Sequence, residues 1–201
     1  MIPTHKDLIL ASERIKPYIH RTPVLESSTI NNMLNGHICF KCENFQRMGA
    51  FKMRGATNAI LQLNKGQRAR GVITHSSGNF AQALALAAKS LNTKAYIIMP
   101  HNASSVKIDA VKGYGAEIIE CAPTLESRIK VTQEYQERTG ATFIHSSNDV
   151  NVIIGNASAA IELIEDMKEI DVIIAPVGGG GLIAGTALAV NYMIHYTCLL
   201  Y

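Results

Sequence analysis

Four consecutive glycines, Gly178, Gly179, Gly180 and Gly181, most constrain what this chain can fold into. They follow a short apolar run at 171–174, which predicts a buried strand, and they precede a helical pattern of small residues at 182–190. Glycine lets the backbone approach a ligand closely and take positive φ, and the free N–H groups at a helix start attract anions. The sequence therefore predicts a phosphate site between this strand and this helix.

Short apolar runs alternate with helical patterns along most of the chain. Strands are predicted at 38–43, 71–74, 95–99, 116–120 and 142–144, and helices at 7–18, 50–63, 80–90, 105–114, 124–138 and 153–167. Residues 64–66 are expected to end the helix at 50–63, and Thr124 is expected to cap the helix at 124–138. This alternation favours βαβ units, a parallel sheet and the α/β class. Ligands bind at the carboxyl ends of such strands, so three polar loops are candidates: the one before Phe80, the one after Ile144, and the tetraglycine.

Composition narrows the class of function. The chain is 47% apolar and 17% charged with a formal net charge of +3, and its basic residues are scattered, which favours neither nucleic acid nor membrane surfaces as partners. No apolar run approaches a membrane span, and the charged start is unlike a signal peptide. We expect a cytoplasmic enzyme or binding protein.

The cysteines do not predict a metal centre. Cys39 and Cys42 form a CxxC within a predicted strand, where a spacing of three puts them on opposite faces, and no second CxxC or pair of histidines completes a zinc site. We expect reduced thiols and no metal.

Two polar positions are candidates for chemistry, each with a plain alternative. Lys52 stands among small and aromatic residues, where a lysine with a depressed pKa can attack an aldehyde, but it also suits a surface helix start. The run Ser76-Ser77-Gly78-Asn79 suits a ligand loop with an amide available for a hydroxyl or phenolate, or an ordinary helix cap.

A dinucleotide site is the competing interpretation of the glycines. Residues 179–184 fit G-x-G-x-x-A, yet no acidic residue follows to hold a ribose, and the Gly-Lys-Ser/Thr of a P-loop is absent. Both nucleotide interpretations are disfavoured.

Three segments together resemble a known family. They are KCENFQRMGAFKMRGA at 41–56, THSSGNFAQAL at 74–84 and PVGGGGL at 176–182. In type, order and spacing they resemble pyridoxal-phosphate enzymes of the tryptophan-synthase-β fold type (fold type II), and within it the serine racemase and threonine (serine) dehydratase group. The resemblance runs from about residue 5 to residue 190.

The resemblance implies how a cofactor, pyridoxal 5'-phosphate, would be held. Lys52 would carry it as an internal aldimine and move a proton at the substrate Cα. Phe51 would pack against the cofactor, Asn79 would donate to its phenolic oxygen, and the backbone of Gly178, Gly179, Gly180 and Gly181 would cradle its phosphate. The cofactor would be the electron sink.

It also implies a substrate, a small amino acid such as serine or threonine. Ser77 resembles the racemases, in which a serine faces Cα opposite the lysine, and β-elimination of water usually accompanies inversion there. Ser76, Ser77 and Arg128 would line the substrate pocket, although Arg128 also suits a solvated helix surface. A homodimer is expected.

The family fold would have two three-layer αβα lobes with mostly parallel sheets. Residues 1–68 and 149–201 would form a large cofactor-binding domain, incomplete here, and residues 69–148 a small domain. Family members continue well beyond the tetraglycine helix, whereas residues 191–201 resemble nothing in them, and Phe80 replaces their usual histidine. We therefore expect weak or no activity from this polypeptide alone, and the second hypothesis is an inactive fragment that binds or regulates a full-length subunit.

Overall fold

A parallel four-stranded sheet occupies the middle of the chain in the computed structural model, which describes residues 2–167, 169–194 and 197–201. Its strands are β3 (Val72–His75), β4 (Ala95–Pro100), β5 (Glu117–Cys121) and β6 (Thr142–Phe143), in the order β5-β4-β3-β6. Every residue of β4 is buried, because its neighbours pair on both edges and helices cover the sheet. The predicted α/β class with a parallel sheet is confirmed.

The crossovers of this sheet are helices α5 (Asn79–Ser90), α6 (Ser105–Gly113) and α7 (Leu125–Thr139). As predicted, Thr124 caps α7, its hydroxyl accepting from the Ser127 N–H. Alanines dominate the buried face of α5, so α3 (Lys52–Leu61) packs closely against it. Met53 and Ile60 of α3 share one apolar cluster with Leu84 of α5 and Ile97 of β4.

Glycines bring three further helices unusually close together. A Cβ on Gly55 of α3 would lie 2.7 Å from the carbonyl oxygen of Val152, in α8 (Val150–Asp166). A Cβ on Gly155 of α8 would lie 2.7 Å from the carbonyl oxygen of Arg54. One on Gly185, in α9 (Gly181–Met193), would lie 2.6 Å from the carbonyl oxygen of Ile153. Helix α8 is therefore held between α3 and α9, and it fixes their relative positions.

A buried ion-pair cluster ties the start of α3 to α8. The Arg54 side chain is fully buried and donates to both carboxylate oxygens of Glu43, at 2.7 and 2.8 Å, and of Glu162, at 2.7 and 2.9 Å. Lys41 adds a contact of 2.8 Å to Glu162. A guanidinium suits this role, because its planar fork of donors can satisfy two carboxylates at once.

The remaining elements surround these helices. They are α1 (His5–Ile15), β1 (Val24–Glu26), α2 (Ser28–Leu34), β2 (Cys39–Lys41), α4 (Lys65–Arg70), β7 (Val172–Ile174) and β8 (Cys198–Leu200), with 3₁₀ turns at Lys16–Tyr18, Glu43–Phe45 and Arg47–Gly49. Strands β1 and β2 are antiparallel, and β7 and β8 are parallel. The proposed division into lobes at 69 and 148 stays a prediction; the four-stranded sheet lies within the smaller part.

Several sequence predictions of local structure were wrong. The stretch from Asn64 to Gly66, expected to end a helix, instead opens α4, because the Asn64 side chain accepts from the Gln67 N–H in a capping box. Helix α2 was missed. The tail at 191–201, which was given no structure, completes α9 and supplies β8, while 195 and 196 lie outside the described residues.

No helix within the described ranges is both long and apolar enough to cross a bilayer.

Candidate active site

Lys52 opens α3 after a strained loop. Met48 and Gly49 both take positive φ, 55° and 77°, and this tight turn sets where the helix begins. The Lys52 ammonium donates to the carbonyl oxygen of Ser146 at 3.3 Å and lies 4.8 Å from the centre of the Phe51 ring. Burial lowers the pKa of Lys52, so more of the amine is neutral near pH 7 than at an exposed lysine. The predicted proximity of Lys52 to an aromatic ring is present.

The loop after β6 is folded back on itself by one histidine. His145 Nδ1 accepts from the N–H groups of Ser147, at 3.2 Å, and of Asn148, at 2.9 Å. An acceptor nitrogen carries no proton, so this geometry requires Nδ1 to be bare. Residues 145–148 form a turn whose Ser146 carbonyl faces Lys52.

The tetraglycine packs on the same turn. A Cβ on Gly179 would clash with Ser147 Oγ, and one on Gly181 would lie 2.9 Å from Ser147 Cα. Gly180 caps α9 with φ of 87°, a conformation that side-chain-bearing residues rarely adopt, and it offers no side-chain acceptor to the first-turn N–H groups. Lys52 and the start of α9 therefore lie on opposite sides of residues 146–147.

The loop before Phe80 reaches the same edge of the sheet. His75, the last residue of β3, stacks on Phe143 of β6 with ring centres 5.3 Å apart, and lies 6.2 Å from His145. Beyond it, Ser76 and Ser77 are half-buried, the Ser76 hydroxyl accepts from the Gly78 N–H at 3.3 Å, and the exposed Asn79 opens α5. Two of the three predicted ligand loops are therefore neighbours at this edge, and the third joins them through Ser147.

Two other predicted positions have distinct surroundings. Arg128 of α7 is half-buried, and its Nε is a buried donor without a partner in the described part of the chain. Burial is the largest cause that lowers the pKa of His75, and the positive charge of Arg128 lowers it further. Phe80 is only 3% exposed and belongs to the apolar core between α3 and α5.

Comparison with known proteins identifies the family. The family model described as "Pyridoxal-phosphate dependent enzyme" matches residues 15–196. The chain belongs to this family. The suspected resemblance to pyridoxal-phosphate enzymes of fold type II is confirmed, and the nucleotide-binding alternative receives no support.

Individual relatives within the pyridoxal-phosphate family are close. A β-hydroxyaspartate dehydratase from Paracoccus denitrificans is 46% identical over 98% of this chain and 62% of its own length. A serine racemase from Oryza sativa subsp. indica is 50% identical over 89% of this chain and 53% of its own length. The crystal structure of serine racemase from Dictyostelium discoideum superposes with a TM-score of 0.92 at 46% identity, covering 95% of this chain and 62% of that one. The chain thus spans about half to three-fifths of the length of these relatives.

The residues present fit the phosphate of the family's cofactor. Among the described residues, apart from its chain neighbours, nothing lies within 4 Å of the position that a Cβ on Gly178 would take. The α9 N-terminus presents N–H groups without a side-chain cap, together with the positive end of the helix dipole. The Lys52 amine lies across residues 146–147 from this cradle. This pyridoxal-phosphate family member therefore has an amine of lowered pKa and a helix N-terminus without a side-chain cap on opposite sides of one turn.

Sequence reasoning assigned no role to His145, Ser146 or Ser147. The loop after Ile144 was singled out as polar, which was the available signal, but the contact to Lys52 uses the main-chain oxygen of Ser146. Every residue has such an oxygen, so nothing in the side-chain pattern could single it out. The hydrogen bonds that His145 accepts from two N–H groups likewise cannot be predicted until the conformation of the turn is known.

Proposed function

We propose that this chain provides the cofactor-lysine and phosphate-binding part of a pyridoxal-phosphate-dependent racemase or ammonia-lyase acting on small β-hydroxy amino acids such as serine or threonine. The observation that carries the proposal is that Lys52 contacts Ser146 while the tetraglycine packs on the adjacent Ser147. An amine and an anion cradle on one turn suit a ligand that has both an aldehyde and a phosphate.

The chain's own residues would then divide the work. Lys52 would hold the cofactor covalently through Nζ and, when released by substrate, accept or return the proton at Cα, for which its lowered pKa is suited. When bound, pyridoxal phosphate supplies the electron sink that acidifies that proton. Phe51 would pack on the cofactor and Asn79 would donate to its phenolic oxygen. Ser77, on the face of Cα opposite Lys52, would deliver a proton there in racemisation.

The substrate carboxylate would be recognised by Ser76, Ser77 and Arg128. The half-buried hydroxyls of Ser76 and Ser77 follow β3, and the buried Arg128 Nε has no protein acceptor among the described residues. A buried donor left unpaired is costly, and a ligand carboxylate would relieve that cost. Relatives named for serine and for β-hydroxyaspartate motivate testing serine, threonine and 3-hydroxyaspartate side by side.

The first test is the absorbance spectrum of the purified chain with added pyridoxal phosphate. We expect the visible band of lysine-bound cofactor in the parent and in Lys107→Ala, an exposed-lysine control, and its loss in Lys52→Ala. A band that survives Lys52→Ala would refute the assignment of Lys52. If the parent forms no band while its circular dichroism shows a folded α/β protein, the chain by itself does not hold the cofactor.

Turnover then separates the two reactions. In Ser77→Ala, racemisation of L-serine should fall far more than formation of pyruvate, because elimination needs no proton on the second face. Equal loss of both reactions would contradict the role of Ser77. A homodimer and cytoplasmic localisation remain predictions.

A second candidate function is binding or regulation of a longer subunit. It is favoured by apolar side chains on the β7–β8 sheet, where Ile174 is 75% exposed and Val172 and Leu200 are also exposed. Co-purification with a full-length homologue, without turnover by the chain alone, would favour this function; robust turnover by the purified chain alone would argue against it.

A further inference from the structure

Three side chains with different donor atoms converge on one face of the antiparallel β1–β2 pair. Glu26 and Cys39 are directly opposite each other in the antiparallel register, so their side chains lie on the same face. His37 precedes Cys39 by two residues, and the extended spacing of two returns its side chain to that face. The cluster therefore offers one carboxylate oxygen, one imidazole nitrogen and one sulfur.

The distances between these atoms fit one small cation. His37 Nε2 lies 2.9 Å from Glu26 Oε2 and 3.7 Å from Cys39 Sγ, and all the ligand atoms lie within 4.8 Å of one another. Tetrahedral zinc with its usual bond lengths separates a nitrogen from an oxygen by about 3.3 Å and from a sulfur by about 3.6 Å. Shifts of a few tenths of an ångström would bring the nitrogen–oxygen and nitrogen–sulfur pairs to those separations.

We propose that Glu26, His37 and Cys39 form a binding site for a divalent transition metal, with zinc as the best match, separate from the cofactor site. Mixed nitrogen, oxygen and sulfur donors suit borderline cations such as zinc and exclude magnesium and calcium, which take oxygen ligands. Three protein ligands leave the fourth position of a tetrahedron to water.

Charge balance and the anchoring of strand β2 both favour metal binding at this cluster. A thiolate and a carboxylate together neutralise the charge of a divalent cation. The Cys39 thiol releases its proton to solvent as the metal–sulfur bond forms. Two residues along β2, Lys41 is anchored to Glu162, which fixes the strand on which Cys39 stands.

The simplest competing explanation is an ordinary surface ion pair. The side chains of His37 and Glu26 are 64% and 51% exposed, and such a pair beside a thiol needs no metal. The two explanations differ in what sulfur does, since only a metal site binds a cation through Cys39.

The experiment uses the full chain, free of added pyridoxal phosphate, with Cys198→Ser in every sample because that exposed thiol would contribute its own signal. Cobalt(II) is titrated while the near-ultraviolet thiolate-to-cobalt band is followed, and zinc affinity is then measured by displacement of the cobalt. The matched control is Cys42→Ser, because this thiol lies directly after β2 and its Sγ donates to the Phe40 carbonyl oxygen instead. Circular dichroism checks the fold of each variant.

We expect a one-to-one cobalt band that zinc abolishes and that Cys42→Ser retains. Cys39→Ser should remove the band, and Glu26→Gln and His37→Ala should each weaken zinc binding by about 100-fold or more, since even partners of metal ligands are worth 10- to 100-fold. A missing band in the folded parent, or unchanged zinc affinity in Cys39→Ser, would overturn the proposal and leave the ion pair as the explanation.

Discussion

Replacing Arg54 by methionine should be the most destabilising single change in the ion-pair cluster. The guanidinium is fully buried and makes six hydrogen bonds, to Glu43, Glu162, Ser158 and Thr22. Methionine keeps much of the volume and removes every donor. Two carboxylates then remain in a site where Glu162 is 8% exposed and Glu43 17%.

The loss of unfolding free energy in Arg54→Met can be estimated from the charged groups that remain in the cluster. Breaking a buried ion pair by removing one partner costs about 3–5 kcal/mol. Lys41 stays 2.8 Å from Glu162 and compensates part of its charge, so we expect the lower end, about 3 kcal/mol. That is a large share of the roughly 5–15 kcal/mol that stabilises a typical domain.

Urea denaturation followed by circular dichroism measures the effect. With a slope of about 2 kcal/mol per molar, the midpoint should fall by about 1.5 M. The matched control is Arg21→Met, which removes a half-exposed guanidinium from Glu165 and Asp166 and should cost about 0–1 kcal/mol. Equal midpoints for the two variants would refute the argument that burial decides the cost.

Three further predictions concern the same elements. Burial alone would raise the pKa of Glu162, but hydrogen bonds and charge from Arg54 and Lys41 outweigh it and hold the pKa below 4.5. The contribution of Glu162 to stability is therefore present above that pH and is lost as the pH falls through the lower folded value. Urea midpoints at stepped pH should fall more steeply in the parent than in Glu162→Gln, and equal slopes would contradict this. Gly181→Ala should lower the free energy of unfolding by about 1–3 kcal/mol and weaken pyridoxal-phosphate binding, because its Cβ would lie 2.9 Å from the Ser147 backbone. Gly178→Ala should keep its stability, because among the described residues its Cβ meets nothing within 4 Å. Equal urea midpoints for the two variants would contradict this. Burial lowers the pKa of Lys52, so this amine should react with a small amine-modifying reagent at a lower pH than exposed lysines do. Peptide mass spectrometry across a pH series measures the modification at each lysine. The same pH dependence at Lys52 and at exposed lysines would argue against a lowered pKa.

The elements set by local pattern could be predicted from the sequence. The buried apolar run of β4 and the Thr124 cap of α7 are determined by nearby residues, and both were predicted. Short elements were less accessible: β1, α2 and α4 are held by caps and by pairing with distant segments, so their periodicity is weak.

The candidate site could be predicted only as separate pieces. Lys52 and the tetraglycine were singled out from residue type and from the family resemblance, but their meeting depends on α8 packing between α3 and α9. That packing uses Gly55, Gly155 and Gly185, whose lack of a side chain becomes informative only when the facing backbone is known. The cross-strand partners of Cys39 were hidden for the same reason, since only the register places Glu26 opposite it.

The placement of Lys52 has a consequence for when the site can exist during synthesis. Its contact with Ser146 spans 94 residues of chain, and the glycines that Ser147 touches come later still. The segment just before α1 also has a late partner, because the Pro3 carbonyl oxygen accepts a hydrogen bond from the Tyr192 hydroxyl, 189 residues further on. A chain emerging from the ribosome therefore has its lysine exposed long before a phosphate cradle is available, and such distant contacts make folding slow. If Lys52 and the tetraglycine hold the cofactor as proposed, the chain can capture it only after α9 has been made.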